Sequence, residues 1–214
     1  MVNVRTHAGP KMLPLLSVPV FRQSTGRVMK YLLVIFAGFL LASCSRKPLP
    51  VFGEVPKFEL TNQQGQKFER ASLDGHVWIA DFIFTNCESS CPRMSAKMHT
   101  IQGETDAGVK LVSFSVDPAR DTPPALAEYA KKYQADQSRW TFLTGSPATL
   151  EMLDHDAFKL GSLSMDHSTR FVLIDKAGRV RGYYGLFEDG GVAKLEKDAA
   201  RLEKEPQTAG QTAG

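Results

Sequence analysis

Two cysteines, Cys87 and Cys91, stand four positions apart in the segment DFIFTNCESSCPRM, directly after a strongly apolar run. A cysteine thiolate is both a nucleophile and a soft metal ligand. In an oxidising compartment, two neighbouring thiols can instead close a disulfide. The spacing alone therefore predicts one of three kinds of site: a structural disulfide, a redox-active thiol pair, or part of a metal site.

The residues around the pair indicate how it is positioned. Residues 77–84 are nearly all apolar, which is typical of a strand covered on both faces, and residues 94–102 have the pattern of a helix. Pro92 has no amide hydrogen and is tolerated in a first helical turn, so we expect Cys91 near the helix N-cap and Cys87 in the preceding loop. The amide dipoles at a helix start favour negative charge and lower the pKa of a cysteine thiol there.

The rest of the chain alternates strand and helix patterns. We predict a β-hairpin that turns at Gly65, further strands at 109–116, 140–143, 171–174 and 180–184, and helices at 122–133, 146–158 and 192–204. Such strand–helix crossovers are typical of the α/β class, and a thioredoxin-like fold fits best, with a central mixed sheet flanked by helices and an N-terminal β-hairpin. Open α/β sheets place their sites at the carboxyl ends of strands, where the cysteine pair would lie.

The N-terminal region has the pattern of an export signal. Lys30 precedes an apolar run at 31–41, which ends in Leu41-Ala42-Ser43-Cys44. Because a helix needs roughly 20 residues to cross a bilayer, we expect no retained transmembrane helix. The last four residues resemble a bacterial lipobox, and this resemblance implies that Cys44 is lipidated and becomes the first residue of the mature protein. We therefore expect a membrane-anchored lipoprotein of the cell envelope, on its periplasmic side.

These observations predict the following organisation. Residues 1–28 fit neither a signal nor a domain and are expected to be untranslated or dispensable, with Met29 as the start. Residues 29–43 form the lipoprotein signal peptide, and residues 44–56, rich in proline and charge, form a lipid-anchored tether. Residues 57–204 form the folded domain, and residues 205–214 form a disordered tail.

The charge balance argues against nucleic-acid binding. The whole chain carries a formal charge of +3. Residues 1–43 contain five basic residues and no acidic one, so the formal charge falls to −2 once they are removed; the five are Arg5, Lys11, Arg22, Arg27 and Lys30. A mature protein without a basic run or net positive charge lacks the electrostatic footprint of a nucleic-acid binder.

Taken together, the motifs resemble those of the Sco (SenC/PrrC) family, thioredoxin-fold factors that help assemble the dinuclear copper centre of cytochrome c oxidase. The matching residues are Asp81-Phe-Ile-Phe-Thr-Asn-Cys87 with Cys91-Pro92, Ser115-Val-Asp-Pro118, Asp121-Thr-Pro-Pro124, Trp140 with Leu143-Thr-Gly145, and Asp166-His167-Ser168 followed by Leu173-Ile-Asp175. The C-x3-C-P motif combined with the distal Asp-His-Ser is specific, whereas thioredoxins carry C-x2-C.

The resemblance implies a copper site formed by Cys87, Cys91 and His167. Soft thiolates select Cu(I), and a set of two cysteines and one histidine also accommodates Cu(II), although zinc is a competing occupant of such a set. Asp166 is either a hydrogen-bond partner of the His167 ring or a solvated charge. Only residues 159–165 separate the third predicted helix from Asp166, which is shorter than in many family members, and a weaker copper site would shift the balance towards thiol chemistry.

Two functions therefore follow from the resemblance. As a copper-binding protein, the chain would deliver copper to the dinuclear site of cytochrome c oxidase subunit II during assembly, with another copper chaperone or a thiol reductant as a further partner. As a thiol-disulfide oxidoreductase, it would use Cys87 and Cys91 to keep the cysteines of that target site reduced. Two other interpretations are a structural disulfide, whose very small loop gives the least entropic stabilisation, and a peroxidase with Cys87 as the attacking thiol.

Overall fold

The computed structural model describes residues 47–160 and 169–206, and within them one eight-stranded sheet carries helices on its faces. The strands are β1 (Gly53–Glu54), β2 (Glu59–Asn62), β3 (Lys67–Glu69), β4 (Trp78–Ile83), β5 (Lys110–Ser115), β6 (Trp140–Thr144), β7 (Arg170–Ile174) and β8 (Arg179–Gly185). The α-helices are α1 (Cys91–Glu104), α2 (Pro123–Lys132), α3 (Pro147–Met152) and α4 (Gly191–Lys204). A 3-10 turn at Arg70–Leu73 follows β3.

The sheet is mixed, as predicted. Its strand order is β1-β8-β7-β4-β5-β6-β2-β3, with β4, β5 and β6 mutually parallel and every other neighbouring pair antiparallel. The predicted hairpin is β2–β3, and its turn contains Gly65 at φ +75°, a conformation that glycine adopts without strain. Because β7 is antiparallel to β4, the carboxyl ends of β4 and β5 and the amino end of β7 meet at one edge of the sheet.

Strand β4 is the central support of this edge. All six of its residues are buried, and they alternate between two apolar layers. Ile79 and Ile83 face the layer that holds α1 and α4, whereas Phe82 stacks on Phe114 with ring centroids 5.1 Å apart in the other layer. Full burial of each such side chain stabilises the fold by about 1.5–3 kcal/mol. The loop that follows β4 therefore starts from a rigid strand.

The predicted caps of the second and third helices are confirmed. Thr122 Oγ1 accepts a hydrogen bond from the Ala125 amide at 3.5 Å, and Ser146 Oγ accepts one from the Thr149 amide at 3.1 Å. The predicted helix 146–158 is α-helical only to Met152, after which Leu153–Ala157 form a π-helical turn. In that wider turn the Phe158 amide bonds to the Leu153 carbonyl at 2.8 Å, which lets both side chains enter the core.

Residues 49–55, which fall in the segment predicted as a tether, are bonded to the domain. The side chain of Arg181 is 4% exposed, and its guanidinium donates to the carbonyls of Leu49 and Pro50 at 2.8 and 3.1 Å and to Asp175 at 2.6 Å. Strand β1 pairs with β8, and Val55 is buried. The chain is thus hydrogen-bonded to the domain at Leu49 and Pro50, which lie within the predicted tether.

The remaining boundary predictions fall outside the described residues. The signal peptide, Cys44 and residues 207–214 of the predicted tail all lie there. Between residues 47 and 206, leaving out 161–168, no helix combines the length and apolar character that a membrane crossing requires.

Candidate thiol and metal site

Cys87 and Cys91 lie where the sequence predicts, in the loop after β4 and at the first residue of α1. Ser90 precedes α1 as its N-cap residue, and Pro92 occupies the first turn. Both cysteines are unbridged, with 7% of Cys87 and 3% of Cys91 exposed. The sheet and the helix start therefore hold two reduced thiols together in a largely dry position.

The two cysteines are joined by a hydrogen bond. The Cys91 amide donates to Cys87 Sγ at 3.4 Å, and Ser89 Oγ lies 3.5 Å from the same sulfur. Cys87 is the last residue of a turn that begins at Phe84. The Cys87 amide closes this turn by donating a hydrogen bond to the Phe84 carbonyl at 3.2 Å. The helix start thus points one free amide at Cys87, which is the electrostatic arrangement that stabilises a thiolate.

Burial and hydrogen bonding give the two thiols different pKa values. Burial alone would raise the pKa of Cys87, but hydrogen bonds from the side chains and amides of Cys91 and Ser89 outweigh it and lower this pKa to about 7. Burial, followed by the hydrogen bond to Cys87, raises the pKa of Cys91 to about 12. Near neutral pH, Cys87 is therefore partly ionised and supplies the thiolate of the pair, whereas Cys91 keeps its proton.

A buried carboxyl group lies in the same layer as the cysteines. Asp81 occupies β4 between Ile79 and Ile83, fully buried, and its Oδ1 accepts a hydrogen bond from Ser113 Oγ at 2.6 Å. Trp140 Nε1 in turn donates to Ser113 Oγ at 2.9 Å, and Asp81 Oδ2 has no hydrogen-bond partner among the described residues. Burial raises the pKa of Asp81 to about 7, against the opposing effect of the Ser113 bond, and its charge contributes to raising the pKa of Cys91.

Asp81 is a site residue that was not predicted from the sequence. The available signal was a single acidic residue inside an otherwise apolar strand, which is costly unless the carboxyl group is protonated or hydrogen-bonded. Two methionines on α1, Met94 and Met98, are also buried, and they pack in the same core cluster as the cysteines.

His167 and its neighbour Asp166 lie outside the described residues. In the described ranges, no group of three or more histidine, cysteine and acidic side chains could hold a metal ion. The cysteine pair itself fits a soft ion such as Cu(I), because its two sulfur donors are adjacent, shielded from water, and one is a thiolate near neutral pH.

An exposed aromatic side chain lies beside the first turn of α1. Phe187, in the loop between β8 and α4, is 55% exposed, and the Arg93 guanidinium carbon lies 4.5 Å from its ring centroid. Arg93 follows Cys91 by two residues. The thiol pair therefore has a mixed apolar and cationic surface next to it.

Comparison with known proteins identifies the chain's relatives. The family model described as SCO1/SenC matches residues 50–199. A SCO1/SenC family lipoprotein from Bacillus anthracis str. Ames is similar in structure, with a TM-score of 0.65 and 36% identity, covering 73% of this chain and 98% of that one. BsSco, described as a member of the Sco family of cytochrome c oxidase assembly proteins with a disulfide switch, has a TM-score of 0.62 and 33% identity, with coverage of 72% and 98%.

A third structure carries a ligand. ScoI from Bradyrhizobium japonicum with copper bound has a TM-score of 0.55 and 26% identity, covering 70% of this chain and 99% of that one. These neighbours confirm the thioredoxin-like α/β fold. Because the family model matches more than half of the chain, the protein belongs to the SCO1/SenC family.

Proposed function

We propose that the protein is an extracytoplasmic, membrane-tethered copper-binding protein that delivers copper ion to the dinuclear site of cytochrome c oxidase subunit II during assembly. Copper is its cargo, held by Cys87, Cys91 and His167. The observation that carries this proposal is the pair of buried, adjacent sulfurs, one of them stabilised as a thiolate by the Cys91 amide. Family membership and the copper-bound relative support the choice of metal.

Protonation of the two thiols affects binding of the cargo. Cys87 offers a thiolate near neutral pH, whereas Cys91 must lose a proton when the metal binds. Binding is therefore expected to release a proton and to strengthen as the pH rises. The resulting dependence makes transfer to another thiolate site, by exchange of one ligand at a time, sensitive to local acidity.

The sheet topology supports His167 as the third ligand. Strand β7 begins at Arg170. This residue lies at the edge of the sheet where β4 ends and the Cys87 loop begins. Three residues along the chain separate His167 from Arg170, a length that spans at most about 11 Å when fully extended, which is compatible with His167 as a ligand beside the cysteines. An imidazole added to two thiolates accommodates Cu(II) as well as Cu(I), which a copper carrier requires.

Membrane attachment through Cys44 is supported by the lipobox-like sequence and by the relative described as a lipoprotein. Leu49, whose carbonyl accepts a hydrogen bond from Arg181, follows Cys44 by five residues in the sequence. Lipidation of Cys44 would therefore keep the domain at the membrane in which the oxidase is embedded.

The proposal is tested by titrating the reduced chain from Ser45 onward with Cu(II) under argon, with His167→Ala alongside. This chain contains the whole compact unit that begins at Pro48. We expect intense thiolate-to-copper charge-transfer bands that saturate at one equivalent and are lost in the variant. Bands that persist unchanged in His167→Ala would contradict the ligand set, and their absence from the wild type would contradict copper binding.

A second function, thiol-disulfide exchange, is favoured by the unequal acidity of the cysteines. The Cys87 thiolate would attack one sulfur of a target disulfide, forming a mixed disulfide and releasing one target thiolate. Cys91, once deprotonated, would attack the Cys87 sulfur and release the second target thiolate. Two electrons pass to the target, and the chain is left with a Cys87–Cys91 disulfide that an external dithiol reductant must reduce.

The same histidine variant separates the two functions. Disulfide exchange needs only the cysteines, so His167→Ala should reduce a model disulfide at the wild-type rate while losing copper. A variant that loses both properties would contradict this separation.

A further inference from the structure

Asp121 lies fully buried between the Cys87 loop and the start of α2. Its carboxylate accepts a hydrogen bond from Thr85 Oγ1 at 2.6 Å, and the Thr85 amide lies 3.2 Å from both carboxylate oxygens. Ser115 Oγ, at the end of β5, donates to Oδ2 at 2.6 Å. A single carboxylate therefore joins the ends of two neighbouring parallel strands.

Capping of α2 does not explain this carboxylate. Thr122 is the N-cap residue, and its own hydroxyl accepts the bond from the Ala125 amide. The side chain of Asp121 accepts its hydrogen bonds from Thr85 and Ser115 instead. A buried carboxylate is unfavourable unless both oxygens are hydrogen-bonded, and here these donors satisfy both.

Thr85 links Asp121 to the thiols. It is a central residue of the turn that the Cys87 amide closes onto the Phe84 carbonyl, two positions before Cys87. The same turn reaches the second cysteine, because its last residue, Cys87, accepts a hydrogen bond from the Cys91 amide at 3.4 Å. Fixing Thr85 therefore fixes the turn that presents one sulfur and contacts the other.

We propose that Asp121 is a positioning residue for the thiol pair, which holds Thr85 and thereby sets the separation of the Cys87 and Cys91 sulfurs. Its effect on copper rests on the proposed function, whereas its effect on the sulfur separation does not. Two thiols held at a fixed distance form a disulfide with a high effective concentration, and that quantity falls when the turn is released.

The test measures the equilibrium constant for the Cys87–Cys91 disulfide against dithiothreitol, in the full chain purified in detergent. Both cysteines lie in the tryptic peptide 71–93, so alkylation and mass spectrometry quantify their disulfide separately from Cys44. We expect the constant to fall at least tenfold in Asp121→Asn and at least threefold in Thr85→Val. Thr85→Ser keeps the hydroxyl and should remain within twofold of the wild type.

Asp175→Asn is the matched control. Asp175 is also buried and hydrogen-bonded, but its partners are Arg179 and Arg181, which lie away from the cysteine loop. It should lose stability and keep the disulfide constant within twofold. If Asp121→Asn fails to fold, Thr85→Val decides the matter alone. A constant within twofold of the wild type in every foldable Thr85 and Asp121 variant would overturn the positioning role.

Copper binding to the same proteins separates the two proposals. Asp121→Asn should weaken the thiolate-to-copper bands at one equivalent of copper. Thr85→Val should also weaken them, and Thr85→Ser, which keeps the hydroxyl, should weaken them less than Thr85→Val does. A wild type without these bands, combined with a shifted disulfide constant in Asp121→Asn, would reject the copper function and keep the positioning role. Copper bands in the wild type, combined with an unshifted disulfide constant in the variants, would keep the copper function and reject the positioning role.

Discussion

The amide of Cys91 donates a hydrogen bond to the sulfur of Cys87 at 3.4 Å, so the first residue of α1 stabilises the thiolate of its partner. Cys91 is thereby both a thiol of the site and part of the electrostatic field that activates the other thiol. The relationship depends on Cys87 lying in the loop rather than in the helix, which Pro92 favours by occupying the first helical turn.

The first prediction concerns the acidity of Cys87. Its alkylation rate by iodoacetamide should rise with pH along a single titration curve with a midpoint of about 7, because only the thiolate reacts. The rate is followed by mass spectrometry of the peptide that contains both cysteines. A midpoint near the ordinary value of 9.0 would show that the hydrogen bonds do not activate this thiol.

The second prediction concerns Ser89, whose hydroxyl lies 3.5 Å from Cys87 Sγ. Ser89→Ala removes one donor to the thiolate and should raise the alkylation midpoint by about half a unit to one unit. Ser90→Ala is the matched control, because the Ser90 side chain makes no capping hydrogen bond. Equal shifts in the two variants would assign the effect to the loop as a whole rather than to the Ser89 hydroxyl.

The third prediction concerns stability and Asp81. Its pKa is raised in the folded protein from 3.8 to about 7, so the folded state holds a proton that the unfolded state has lost, and stability falls as the pH rises through this window. Asp81→Asn mimics the neutral acid and removes this loss. Its advantage over the wild type in the free energy of unfolding should grow by about 2–3 kcal/mol between pH 5 and pH 8.

Urea unfolding of both proteins at the two pH values measures this advantage. Both proteins keep Cys87 and Cys91, so the titration of these thiols largely cancels in the difference. A difference between Asp81→Asn and the wild type that is the same at pH 5 and pH 8 would mean that Asp81 is ionised in the folded protein throughout.

The fourth prediction concerns the contacts of Arg181 with the N-terminal segment. Arg181→Ala leaves Asp175 buried without its closest cation and should cost about 3–5 kcal/mol of unfolding free energy. Hydrogen exchange at residues 49–55 should accelerate more than at β4. Arg179→Ala, at a side chain 39% exposed, should cost only about 1 kcal/mol and leave exchange in that segment unchanged. Unchanged exchange in Arg181→Ala would show that β1 is held by other contacts.

Local patterns predicted much of this architecture. The apolar run before Cys87 predicted the buried strand. The pairs Thr122-Pro123 and Ser146-Pro147 predicted the starts of two helices to within one residue. These features can be predicted because they depend on residues that are close together in the sequence. Strand β1 was missed, since a two-residue strand has no period and exists only through pairing with β8.

The polar contacts of the core could not be predicted in the same way. Asp81 and Ser113 are 32 residues apart, and Thr85 and Asp121 are 36 apart. Whether such residues meet depends on which strands are neighbours and in what register, which a single sequence does not specify. The sequence therefore indicated the type and place of both cysteines but not the groups that set their acidity and spacing.

The central claim is that copper binds to two cysteines and one histidine of this chain. X-ray absorption at the copper edge tests it most directly, on the protein loaded with one equivalent and on His167→Ala. We expect two sulfur ligands, from Cys87 and Cys91, and one imidazole nitrogen, with its outer-shell scattering, in the wild type, and no stoichiometrically bound copper in His167→Ala. A wild-type spectrum with fewer than two sulfurs or without the imidazole, or a variant whose copper spectrum matches the wild type, would contradict this ligand set.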